Sequence, residues 1–116
     1  MRVLFLGFRA WGLETLKALC EHNFDVTVVT YPDSNITYQY QNLEDSVYQF
    51  AVSNNLPLFT ESFPPSYGFL SKPYKEWDVV LSSNWRHYVP TEALKDFRYG
   101  GFNVHRSLLP KYAGFS

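Results

Sequence analysis

Val3-Leu4-Phe5-Leu6 is an unbroken apolar run that halts at Gly7. A strand with one wet face alternates apolar and polar residues, so a strand that is apolar at every position must be covered on both faces. The period then changes. Leu13, Leu16 and Cys20 recur at helical spacing, with Leu16, Leu19 and Cys20 on the side to be buried. Residues 24–30 read as a second strand, ended by the loop Tyr31-Pro32-Asp33-Ser34-Asn35. A helix is expected over 43–52, with Val47, Phe50 and Ala51 on one face and Glu44 and Asp45 near its positive N-terminal end. Leu58-Phe59 is a short third strand. Residues 61–75, with Pro64, Pro65, Gly68 and Pro73, read as irregular with room for a short helix. A fourth strand is expected over 78–82, a short helix opening on proline over 90–94, and a fifth strand over 101–105.

Strands alternating with helices in this way imply an α/β architecture: a parallel sheet with helices on both faces and right-handed crossovers. Such sheets bind ligands beyond the carboxyl ends of their strands, where the strand order reverses. Gly7, Tyr31, Ser82-Ser83-Asn84 and His105 all follow or close strands and are expected at one sheet edge. Gly7-Phe8-Arg9-Ala10-Trp11-Gly12 resembles a glycine loop only superficially. Leu13 and Glu14 stand where a phosphate loop needs Lys and Ser or Thr, and the three close glycines of a dinucleotide loop are absent. The stretch reads as a strand-to-helix turn, with Phe8 and Trp11 as candidates for shaping a substrate pocket.

A chain of 116 residues, 46% of them hydrophobic, supports one domain with a real core. Ten basic residues against eleven acidic ones leave a net charge of −1, so no field of one sign recruits nucleic acid or an anionic membrane. The single cysteine, Cys20, rules out an internal disulfide. The apolar run between Arg2 and Arg9 is too short for a secretory signal, and no stretch reaches transmembrane length. A cytoplasmic protein is expected. No Cys/His cluster suggests a metal.

Asn103 and His105 are the chemically conspicuous pair. Side chains two apart on a strand share a face, about 6–7 Å apart along the backbone, so an amide and an imidazolium can converge on one developing oxyanion. Phe102 and Val104 are then expected to face packing. A strand end wetted by two polar residues would look the same.

Asn103-Val104-His105-Arg106-Ser107-Leu108-Leu109-Pro110-Lys111-Tyr112-Ala113-Gly114 closely resembles the NxHxSLLPxxxG signature of formyltransferases that use 10-formyltetrahydrofolate. These act on methionyl-tRNA, glycinamide ribonucleotide or sugar amines. Weaker resemblance runs through residues 28–33, 55–59, 78–80 and 89–90. It implies a Rossmann-like domain that passes a formyl group from the folate carrier to a primary amine through a tetrahedral intermediate. In that family Asn and His, matched here by Asn103 and His105, stabilise the oxyanion, and an Asp supports the His charge. The loop after the fourth strand, here Ser82 to Pro90 and including Ser83, Asn84, Trp85, Arg86, Val89 and Pro90, holds the pterin. Ser107, Leu108, Leu109 and Pro110, with Phe8 and Trp11, are expected toward the substrate.

The family's Asp lies some thirty residues beyond the Ser-Leu-Leu-Pro segment. The expectation is therefore an amino-terminal part whose sheet is incomplete at its C-terminal end, inactive alone, and prone to self-association there. The Trp85 loop and the lack of basic charge favour a small-molecule amine, a sugar nucleotide, as acceptor ahead of aminoacylated tRNA. A catalytically inactive folate-binding or interaction module is the alternative.

Overall fold

The computed structural model describes residues 1–32, 46–61, 65–68, 77–85 and 89–104. Along them run β1 (Arg2–Gly7), α1 (Arg9–Glu21), β2 (Asp25–Thr30), α2 (Val47–Ser53), β3 (Leu58–Thr60), β4 (Val79–Ser83), α3 (Thr91–Leu94) and β5 (Gly101–Val104). The five strands form one all-parallel sheet in the order β3-β2-β1-β4-β5, so the order reverses between β1 and β4. This is the expected Rossmann-like α/β fold.

The apolar run of β1 is buried on both faces because its register splits it between two clusters. Val3 and Phe5 pack with Val26, Val28 and Val79 under Leu13 and Leu16 of α1 and Val47 and Ala51 of α2. Leu4 and Leu6 point the other way, to Val29, Val80, Trp77 and Phe97, with Leu94 of α3 and Val89 alongside. Parallel pairing of Val3 with Val79 and Leu4 with Val80 keeps the alternation in step across strands.

Both longer helices end alike. Asn23 and Asn55 adopt φ of 64° and 55°. The next N–H reaches back to the helix, Phe24 to the Leu19 carbonyl at 3.2 Å and Leu56 to Ala51 at 2.9 Å. This Schellman closure uses asparagine where a left-handed residue is required, and each time delivers an apolar residue and then a strand. Ser46 caps α2, its hydroxyl accepting from the Gln49 N–H at 3.0 Å. The helix thus starts at Val47, later than expected; Leu43, Glu44 and Asp45 lie outside the described residues. β4 is shifted one residue toward Ser83, because Asp78 is engaged ahead of it: its Oδ2 accepts from the Arg2 N–H at 2.9 Å, and its N–H donates to the Arg2 carbonyl at 2.7 Å.

Candidate active site at the carboxyl end of the sheet

At the reversal point the turn after β1 meets the turn after β4. Helix α1 comes close because Gly12 has no side chain: a Cβ there would sit 3.1 Å from the Ser83 carbonyl. A Cβ on Gly7 would run into the buried Phe5 ring. The Gly7 carbonyl accepts from the Thr30 hydroxyl at 2.7 Å. Asn84 Nδ2 donates to the Phe8 carbonyl at 3.2 Å, tying the two turns together. Thr15 Oγ1 donates to the Trp11 carbonyl at 3.1 Å and lies 2.8 Å from Ser83 Oγ. With one hydroxyl proton on Thr15, the Ser83 hydroxyl is the donor of that second bond.

An aromatic chain lies across this edge. Phe8 meets Tyr31 edge-on at 4.9 Å, and Tyr31 stacks on Trp85 at 4.4 Å with the rings 4° from parallel. Trp85 Nε1 donates to the Tyr67 hydroxyl at 2.7 Å. Burial pushes the Tyr67 phenol upward; the bond from Trp85 opposes this and the nearby Glu61 charge adds to it. The guanidinium of Arg9 stands 5.4 Å from the Phe8 ring centre.

On the next strand over, Asn103 is paired in register with Ser82, whose hydroxyl donates to Asn103 Oδ1 at 3.0 Å. Holding the amide by its oxygen turns Nδ2, its donor, away from Ser82. His105 follows β5 in sequence and, with Arg86, Ser107, Leu108, Leu109 and Pro110, lies outside the described residues.

Three expectations need correction. Phe8 has no exposed surface, so it supports Tyr31 from behind and does not line a pocket. Ser83 is 2% exposed with its hydroxyl engaged by Thr15, so its side chain is turned into the fold. Phe102 and Val104 are 60% and 41% exposed, not packed. Trp11 is exposed, as a pocket residue can be, on the first turn of α1. Asn84 is exposed, while Trp85, Val89 and Pro90 are half-buried, with Trp85 and Val89 against the second cluster. Asp78 lies at the opposite end of β4, held by Arg2. Among the described residues no group of His, Cys, Asp and Glu could hold a metal, and no helix is long and apolar enough to cross a membrane. Tyr31 stands at the sheet edge where its place after β2 put it; Glu61 and Tyr67 carry no such signal in the sequence.

No family model matches the chain. Curated relatives do. The methionyl-tRNA formyltransferase of Lactobacillus gasseri is 33% identical over 114 residues, covering 97% of this chain and 36% of the relative. Those of Acetivibrio thermocellus and Pelotomaculum thermopropionicum are 31% and 34% identical over 116 residues, covering 98% of this chain and 37% of each relative. A parallel α/β domain with its open edge at a strand-order reversal defines the class, and these similarities set the chain in the formyltransferase family, matching the amino-terminal part. The chain spans a little over a third of the length of these relatives.

Proposed function

We propose that this chain binds 10-formyltetrahydrofolate at the carboxyl end of its sheet and supplies two groups for moving the formyl unit to a primary amine. Transfer forms a bond from the amine nitrogen to the formyl carbon, breaks the bond from that carbon to N10 of the carrier, and moves one proton from the amine to N10. No electrons are gained or lost overall. Asn103 donates through Nδ2 to the formyl oxygen as charge develops on it, and His105, protonated, donates from the same strand two residues on. The observation that carries this reading is the placement of Asn103: the first residue of the family signature stands on β5, adjacent to the strand-order reversal, with its amide held by Ser82.

The residues present suit the carrier. Trp85, Val89 and Pro90 offer a half-buried apolar wall for a flat heterocycle, and the Asn84 backbone, at φ 55°, turns the chain at its rim. One face of Trp85 is already covered by Tyr31, so a ligand can meet only its other face or its edge. Cytoplasmic operation, with Cys20 reduced, accords with this chemistry.

The relatives' shared name favours the amine of methionyl-tRNA as acceptor. A sugar nucleotide is the second reading, favoured by the net charge of −1, which gives a polyanionic tRNA no long-range attraction from this chain. Calorimetry of the chain with 5-formyltetrahydrofolate, a stable reduced folate, tests the site, and saturable binding is expected. Formyl transfer by the protein as encoded, offered methionyl-tRNA and an amino-sugar nucleotide in parallel, decides the acceptor. Absence of reduced-folate binding at millimolar concentration would contradict the proposal.

A further inference from the structure

The aromatic chain ends in an arrangement that covering a core does not require. Glu61 directly follows β3, and its N–H donates to the Thr30 carbonyl at 3.0 Å, prolonging the β2–β3 ladder by one step. Its carboxylate is buried, with 9% of the residue exposed. Oε1 accepts from the Ser66 N–H at 2.7 Å, the Tyr67 N–H at 2.8 Å and the Ser66 hydroxyl at 3.3 Å. These bonds hold Tyr67 at φ 57°, a left-handed backbone that a bulky residue adopts only when its surroundings insist. From there the Tyr67 hydroxyl receives the Trp85 indole N–H.

Stacking on Tyr31 fixes the plane of the indole. It leaves rotation within that plane open, and the bond to Tyr67 closes it. Together the carboxyl ends of β2 and β3 set one orientation for a side chain on the turn after β4. We propose that Tyr67, clamped by Glu61, is a positioning residue that fixes Trp85 for the formyl carrier. This rests on the function proposed above. A tyrosine phenol is protonated through the neutral range and burial pushes it further up, so the hydroxyl accepts from the indole without becoming a second charge beside Glu61.

The test uses the 116-residue chain, with nitrogen-labelled indoles for NMR and 5-formyltetrahydrofolate as the probe for calorimetry. Tyr67→Phe keeps the ring and removes the acceptor. It should move one indole N–H resonance, the one that disappears in Trp85→Phe, and weaken binding about fivefold, the equivalent of one hydrogen bond. Glu61→Ala should weaken binding similarly or more. Glu61→Gln keeps an oxygen for the two backbone N–H groups and should restore affinity to within about twofold of the unaltered chain. Lowered thermal midpoints with unchanged affinity in Tyr67→Phe and Glu61→Ala would make these residues structural only and overturn the assignment while leaving the carrier site standing. An unaltered chain that does not bind the probe overturns both.

Discussion

The two ends of this sheet handle the same geometric problem with different residues. Where chain enters strands at the amino end, the left-handed positions are filled by Asn23, Asn55 and Gly100, at φ 64°, 55° and 67°. Asparagine and glycine accept that conformation at little cost. Where chain leaves strands at the carboxyl end, the left-handed residues are Arg9, Tyr67 and Asn84, at φ 64°, 57° and 55°. For arginine and tyrosine this costs of order 1–3 kcal/mol each. The amino end is closed by backbone pairing, by the Asp78 carboxylate on the Arg2 N–H, and by an exposed Arg2–Asp25 ion pair at 3.5 Å that contributes little. The carboxyl end gathers buried polar bonds and stacked rings. Strain and polar burial thus concentrate on the side where a parallel sheet binds ligands.

If that division is functional, substitutions at the two ends should separate activity from stability. The largest effect is expected from Asn103→Ala, which should lower formyl transfer by the protein as encoded about 10²- to 10³-fold, with KM for the folate donor moving far less. Asn103 is exposed, so its thermal midpoint should stay nearly constant; a variant with full turnover would return Asn103 to the status of a wetted strand residue. Gly7→Val comes next. Its added atoms meet the buried Phe5 ring, and overpacking of this kind costs about 1–3 kcal/mol. Chemical denaturation should register that loss, and an unchanged midpoint would refute the tight turn.

At the other end, Asn23→Val should cost about 1–2 kcal/mol, since a β-branched residue resists the left-handed region, while Asn23→Gly should be close to neutral. Neither should alter reduced-folate affinity. A change in affinity from Asn23→Val at full folding would blur the contrast between the ends. The smallest expected effect is a dependence on pH. The folded-state phenol of Tyr67 titrates above its ordinary value near 10, so its contribution is fully present below pH 10 and is lost as pH rises through the raised value. Urea denaturation of the unaltered chain and of Tyr67→Phe, compared between pH 9 and 11, should show the unaltered chain losing more stability over that interval. Parallel slopes would count against a half-buried, indole-bonded phenol.

Much of the frame is legible in the sequence. Val3-Leu4-Phe5-Leu6 announces a strand covered on both faces, and the switch of period into Leu13 and Leu16 announces the helix above it, because burial and periodicity are local properties of sequence. Asn103 was legible through its motif and through the alternation of a strand. The aromatic and carboxylate network was not. Phe8, Tyr31, Glu61, Tyr67 and Trp85 come together from separate strand ends and the segments after them, and nothing local to any one of them records the others. Phe8 was misjudged for a related reason: an aromatic after a glycine turn can point outward or inward, and only the position of Tyr31 decides. Phe102 and Val104 show the reverse limit, since alternation assigns them to a face of β5 but cannot say whether that face is covered.

The most direct test is amide NMR of the chain during titration with 5-formyltetrahydrofolate. Resonances of Phe8, Arg9, Asn84, Trp85 and Asn103, at the carboxyl end, should shift together along one saturating curve, while those of Arg2, Asn23, Asp25, Asn55 and Gly100 stay fixed. Shifts centred on the amino-end group, or saturation with the carboxyl-end group unmoved, would contradict the account.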